Sequence, residues 1–209
     1  MAVSRPPEWY LRSPLHMRWY AMRLGLSDKL RHAGEVPPDQ HGRPGARCLF
    51  PARPVYGRVN VDETRTDFQV LLSPRGSVLL AVCVERASDP GVPWERSLSA
   101  IAHVTGMGAT VAAPMTRTHL CGVDAVAHTI AWGTFSLQHE WKLIAHGWLY
   151  YVGVVQRRND SGAVLDLALR ALGSWRWLPP VDGAHPATGS TDSDHAPAGG
   201  AVEDDPTGG

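Results

Sequence analysis

The chain reads as an α+β domain, an antiparallel β-sheet flanked by helices, over residues 66–178. Short β-branched and aromatic runs follow one another with turn residues between them, as hairpins require. Two other stretches carry apolar residues at helical spacing instead. The composition, 44% hydrophobic and 19% charged in 209 residues, is that of an ordinary globule large enough to bury one core.

Residues 68–72 and 77–85, joined through Pro74-Arg75-Gly76, form the first hairpin, and the second run is apolar on both faces, as a central strand is. Pro93 can open a helix, where its missing N–H costs nothing. Trp94, Leu98, Ile101 and Ala102 then share one helical face, and Gly106 or Gly108 ends it. Strands follow over 110–119, 123–132 and 135–145. The last alternates cleanly. Phe135, Leu137, His139, Trp141, Leu143 and Ala145 are expected on a buried face, and Ser136, Gln138, Glu140 and Lys142 on a wet one. His146-Gly147 turns the chain into a strand over 148–156. Ser161 is a candidate N-cap for a helix whose core stripe is Val164, Leu165, Ala168, Leu169 and Leu172. Gly173 is its expected left-handed C-cap. Residues 174–178 make a short final strand.

The ends differ from this middle. Residues 1–65 read as a Pro-rich, irregular extension with one short basic amphipathic helix between residues 15 and 30. In it Leu15, Trp19, Met22, Leu26 and Leu30 keep helical spacing among Arg18, Arg23, Lys29 and Arg31. Trp19, Met22 and Leu26 are expected to dock on the sheet; the alternative is attachment to an anionic membrane surface or an acidic partner. Residues 35–54 read as a loop, because Gly, Pro and polar residues crowd them without an apolar period. Residues 179–209 lack large apolar residues and predict a disordered acidic tail.

The net charge of zero is unevenly spread: residues 1–47 hold eight Lys/Arg against four Asp/Glu, and residues 181–209 hold six acids and no Lys or Arg. No strongly basic face is implied, so a nucleic-acid partner is not expected. The three cysteines, Cys48, Cys83 and Cys121, read as reduced thiols. The N-terminal residues lack the apolar core of a secretory signal, and no apolar run approaches the roughly 20 residues that span a bilayer. A cytoplasmic protein without integral membrane insertion is expected.

Sites of recognisable chemistry are few. Gly106-Met107-Gly108 has the spacing of a dinucleotide loop, but a helix precedes it and a strand follows, the reverse of what places a pyrophosphate on a helix N-terminus. His119, Cys121 and His128 carry the ligand types of a zinc site without its spacing or an evident fourth ligand. A Cys/His nucleophilic pair from Cys121 or Cys83 with His139 or His103 has no local motif behind it, and no Gly-x-Ser-x-Gly elbow, HExxH or Walker loop occurs. His139 reads as a core histidine. No catalytic, cofactor-binding or metal-ligating residue is therefore assigned. The eight tryptophans suit core packing, with a minority available to form a binding surface.

The run Gly147-Trp148-Leu149-Tyr150-Tyr151-Val152-Gly153-Val154-Val155, then a helix, then Leu172-Gly173-Ser174-Trp175-Arg176-Trp177, resembles the C-terminal half of the Mog1/PsbP-like group. Pro6-Pro7-Glu8-Trp9 is similar to the start of many members, and the likeness covers residues 68–178. It implies an antiparallel sheet flanked by helices and a binding role without a shared catalytic centre. The group includes a nuclear-transport GTPase cofactor, photosystem accessory proteins and bacterial effector-associated chaperones. The expectation is a non-catalytic protein- or peptide-binding module, a chaperone or adaptor without a cofactor, with Trp141, Trp148, Tyr150 and Trp175 as candidate contacts. The alternatives are a small hydrolase or metal-dependent enzyme using His119, Cys121 and His128, and a membrane-surface adaptor using residues 15–30.

Overall fold

A computed structural model describes residues 14–56 and 64–180. The expected acidic tail and the Pro6-Pro7-Glu8-Trp9 motif lie outside them. In chain order the elements are α1 (Pro14–Arg23), β1 (His32–Val36), β2 (Gly45–Phe50), β3 (Arg65–Leu71), β4 (Val78–Arg86), α2 (Val92–Gly106), β5 (Thr110–Leu120), β6 (Val123–Trp132), β7 (Ser136–Ala145), β8 (Trp148–Arg157), α3 (Ala163–Gly173) and β9 (Arg176–Leu178). Six strands make one antiparallel sheet in the order β3-β4-β8-β7-β6-β5, and β1-β2-β9 make a second, smaller one. The architecture is α+β and mostly antiparallel. Among the described residues no helix is long and apolar enough to cross a membrane.

The hairpins follow local chemistry. His146-Gly147 and Cys121-Gly122 all have positive φ, the conformation of two-residue turns whose twist matches the strands they join. The three residues between β6 and β7 set His128 opposite Glu140, and the His146-Gly147 turn sets Lys142 opposite Tyr151. At the other end of the sheet Ser73, Ser77 and Arg75 of the β3–β4 turn converge on the buried carboxylate of Asp160. That contact ties the turn to the β8–α3 connection.

One face of the large sheet carries the main core. Phe68, Val70, Leu79, Ala81, Cys83, Leu143, Tyr150, Val152 and Val154 pack there with Met17 and Ala21 of α1, Cys48 and Phe50 of β2, and Val164, Ala168, Ala171 and Leu172 of α3. Phe50 and Phe68 have ring centroids 4.9 Å apart, and Trp175 meets Phe68 edge-on at 5.4 Å. Helix α2 lies across β5, β6 and β7 on the opposite face, burying its own Pro93 and Ser97.

Several expectations are corrected. Residues 35–54 are not a loop: β2 alternates buried Ala46, Cys48 and Phe50 with exposed Arg47 and Leu49, and it pairs with β1 and β9. The β1–β2 connection is latched by Arg65, which ion-pairs with Asp67 and Asp39 and donates to the Pro44 carbonyl. Helix α1 stops at Arg23, ahead of Gly25 with φ +68°. Its inner side is Met17 and Ala21, one turn apart, while Trp19 and Met22 are 51% and 75% exposed. Leu98 of α2 also points outward, as does Phe135 in the β6–β7 turn. Ser161 does not cap α3; the N-cap is Gly162, with no side-chain bond. Gly173 is not left-handed either. The helix end is held by Ser174, whose hydroxyl donates to the Ala171 carbonyl and accepts from the Leu49 amide.

The largest correction concerns β7. Leu143 and Ala145 are buried as expected, but so are Ser136, Glu140 and Lys142 on the side expected to be wet. Helix α2 covers that side.

Candidate functional site

The four aromatic candidates do not form one surface. Trp148 is 2% exposed; its indole donates to the Gly42 carbonyl at 3.1 Å, and the Arg43 and Arg86 guanidinium groups sit 4.7 and 4.8 Å from its ring. Tyr150 is fully buried beside Trp177, and Trp175 is packed against Phe68 and Trp177. These three are core side chains because β1, β2 and β9 close over that end of the sheet. Only Trp141 keeps partial exposure, at the margin of the core.

His119, Cys121 and His128 are not brought together. His119 is exposed, 3.4 Å from Asp124 across the β5–β6 hairpin. Cys121 sits buried in the hairpin turn, and His128 is buried on the α2 side of β6. Among the described residues no trio of His, Cys, Asp or Glu is grouped to hold a metal ion. The thiols are poor nucleophiles: burial pushes Cys48 and Cys83 up to about 11 and Cys121 higher still.

The chemistry is concentrated instead in a buried polar network beneath α2. His128, Glu140 and Lys142 project on one face of adjacent strands. Glu140 Oε2 lies 3.1 Å from Lys142 Nζ and 3.2 Å from His128 Nε2, the latter close enough for an ion pair though off the line of a hydrogen bond. Gln138 Nε2 donates to Glu140 Oε1 at 2.6 Å and to the Tyr151 hydroxyl at 3.2 Å, while Trp132 Nε1 donates to Gln138 Oε1 at 2.9 Å. Gly153 makes this possible: it lies opposite Glu140, and a Cβ there would collide with the Tyr151 hydroxyl. Burial raises Glu140, but the His128 and Lys142 partners outweigh it, so its carboxyl titrates below the ordinary range. A carboxylate so fully engaged is a counter-ion and a weak general base. Sequence reading assigned Glu140 and Lys142 to solvent. The signals that could have found the cluster were the i,i+2 spacing of Glu140 and Lys142 on one strand and the hairpin register that sets His128 opposite Glu140.

On the opposite face, β5–β6–β7 carry a second feature. There Ala127, Thr129, His139 and Trp141 are half-buried, and Thr116 and Thr118 of the edge strand are exposed. Helix α3 packs chiefly on β2 and β8. His139 and Trp141 stack with centroids 6.4 Å apart, and His139 bonds Thr129 and Gln156 through its two ring nitrogens. Burial lowers the His139 pKa, which keeps the ring neutral near pH 7. The result is a partly exposed stretch of sheet on which small side chains adjoin an aromatic pair. Neither a protein-family model nor a curated protein matches the chain in sequence comparison.

Proposed function

We propose that the chain is a non-catalytic module, a cytoplasmic chaperone or adaptor with the Mog1/PsbP-like fold, that receives a peptide or protein segment on the sheet surface around Trp141. The partly exposed Trp141/His139 stack beside small residues carries this reading, since an aromatic side chain left partly open is a typical anchor for a partner. The engagement of Glu140 with Lys142 and His128 supports it, as does the resemblance to a group of binding proteins.

Panning a displayed peptide library on the parent protein tests the reading. Apolar peptides should be enriched, and Trp141→Ala should abolish their capture at a stability cost of about 1–2 kcal/mol, below that of emptying a fully buried tryptophan site. Absence of enrichment, or enrichment that Trp141→Ala and Ala127→Arg leave intact, would overturn it.

The exposure of Trp19 and Met22 beside Arg18 and Arg23 favours a second reading, attachment of α1 to an anionic membrane surface. Co-sedimentation with phosphatidylserine vesicles should then fall sharply for Trp19→Ala/Met22→Ala and in high salt. Equal sedimentation of parent and variant would reject it.

A further inference from the structure

A cavity of about 420 Å³ opens between α2 and strands β4, β7 and β8, next to the buried ionic network. We propose that it binds a small carboxylate with an apolar body. It lies on the face of the sheet opposite Trp141, so it is independent of the peptide-binding reading.

The volume falls in the range of small-ligand pockets. Lys142 reaches the cavity from β7, and Arg96 and His103 from α2. The Lys142 ammonium is nearly buried and makes one hydrogen bond, to Glu140. An ammonium carries three donors; one goes to Glu140 and the Tyr151 ring centroid lies 5.7 Å from Nζ, which leaves up to two donors for a ligand in the cavity. Glu140 is the counter-ion of Lys142, so what Lys142 offers the cavity is its spare N–H donors and not a free charge.

Arg96 uses one guanidinium nitrogen on Glu85, at 2.6 Å, and is otherwise exposed. Its remaining donors can close on an anion from the helix side while Lys142 holds it from the sheet side. Leu149 and the ring of Tyr151 supply the apolar wall; the Tyr151 hydroxyl is already taken by Gln138. Lys142 and Arg96 are already balanced by Glu140 and Glu85, so an incoming anion is held by their spare N–H donors and adds its own negative charge to the site. That favours a carboxylate over a phosphate dianion, which would have to displace Glu85.

The test is amide chemical-shift titration of the full chain with hexanoate and with benzoate, against hexanol and inorganic phosphate at equal ionic strength. Saturable shifts at millimolar carboxylate, confined to residues 96–103 and 142–151, are expected, with hexanol and phosphate silent. Arg96→Ala, a surface change that spares the fold, and Lys142→Met should each weaken the carboxylate at least about tenfold. No saturable response to either carboxylate overturns the proposal. So does equal binding of hexanol or phosphate, or full-affinity binding by Arg96→Ala, an outcome readable even if Lys142→Met fails to fold.

Discussion

Replacing Glu140 by alanine is expected to destabilise the protein by about 3–5 kcal/mol, because it strands the Lys142 ammonium beneath α2 without a counter-ion. The magnitude follows from burial: the Glu140 and Lys142 side chains are 7% and 10% exposed. An exposed pair would contribute less than about 1 kcal/mol. Glu140→Gln should be nearly as harmful, since it keeps the shape and removes the charge. Adding Lys142→Met to Glu140→Gln should restore most of the loss, because neutralising both partners leaves no unpaired charge. Urea unfolding of the variants reads this directly. A cost below about 1 kcal/mol for Glu140→Ala would mean that the network is solvated and that α2 does not seal it. The acid limb provides a second readout. The folded state holds the Glu140 proton less tightly than the unfolded chain, whose ordinary value is 4.5. Its stabilisation is therefore full above that pH and lost as pH falls through the lower folded value. Glu140→Gln should flatten that part of the stability profile.

Phe50→Ala is expected to cost a further about 3–5 kcal/mol in its own right, the penalty for emptying a large buried site. Phe50 is fully buried and contacts Phe68, which in turn meets Trp175. The substitution thus opens the seam between the small sheet and the large one. Leu49→Ala, on the outer face of the same strand and 43% exposed, is the control and should stay within about 0.5 kcal/mol. Were residues 35–54 a surface loop, both changes would be mild. A near-neutral Phe50→Ala would detach β1, β2 and β9 from the core as a structural unit.

The β3–β4, β6–β7 and β7–β8 hairpins and helices α2 and α3 were legible in the residues. Each is specified by a signal within about ten positions: a Pro/Gly or His-Gly turn, a period of two or a period of 3.6. Strands β1 and β2 were not. His32-Ala33-Gly34-Glu35-Val36 has no apolar alternation, and β2 is six residues long between Pro/Gly-rich stretches. What makes it a strand is nonlocal: pairing with β9, more than a hundred positions away, and burial of Cys48 and Phe50 against the large sheet.

The same division runs through the candidate sites. Turn lengths already determine that His128 opposes Glu140 and Lys142 opposes Tyr151, and alternation along β7 puts Glu140 and Lys142 on one face, so the chain by itself sets which polar groups are neighbours. Strand alternation likewise shows that the two faces of β7 differ. It does not say which layer covers each, and only packing decided that α2 would bury the polar face and that the small sheet would bury Trp148, Tyr150 and Trp175. A charged face can go inward when it carries its own counter-charge, as Glu140 and Lys142 do two positions apart on β7, because the pair then offsets much of the desolvation that would forbid either ion alone. Pattern reading treats each polar residue singly, and so it sent Glu140 and Lys142 to solvent.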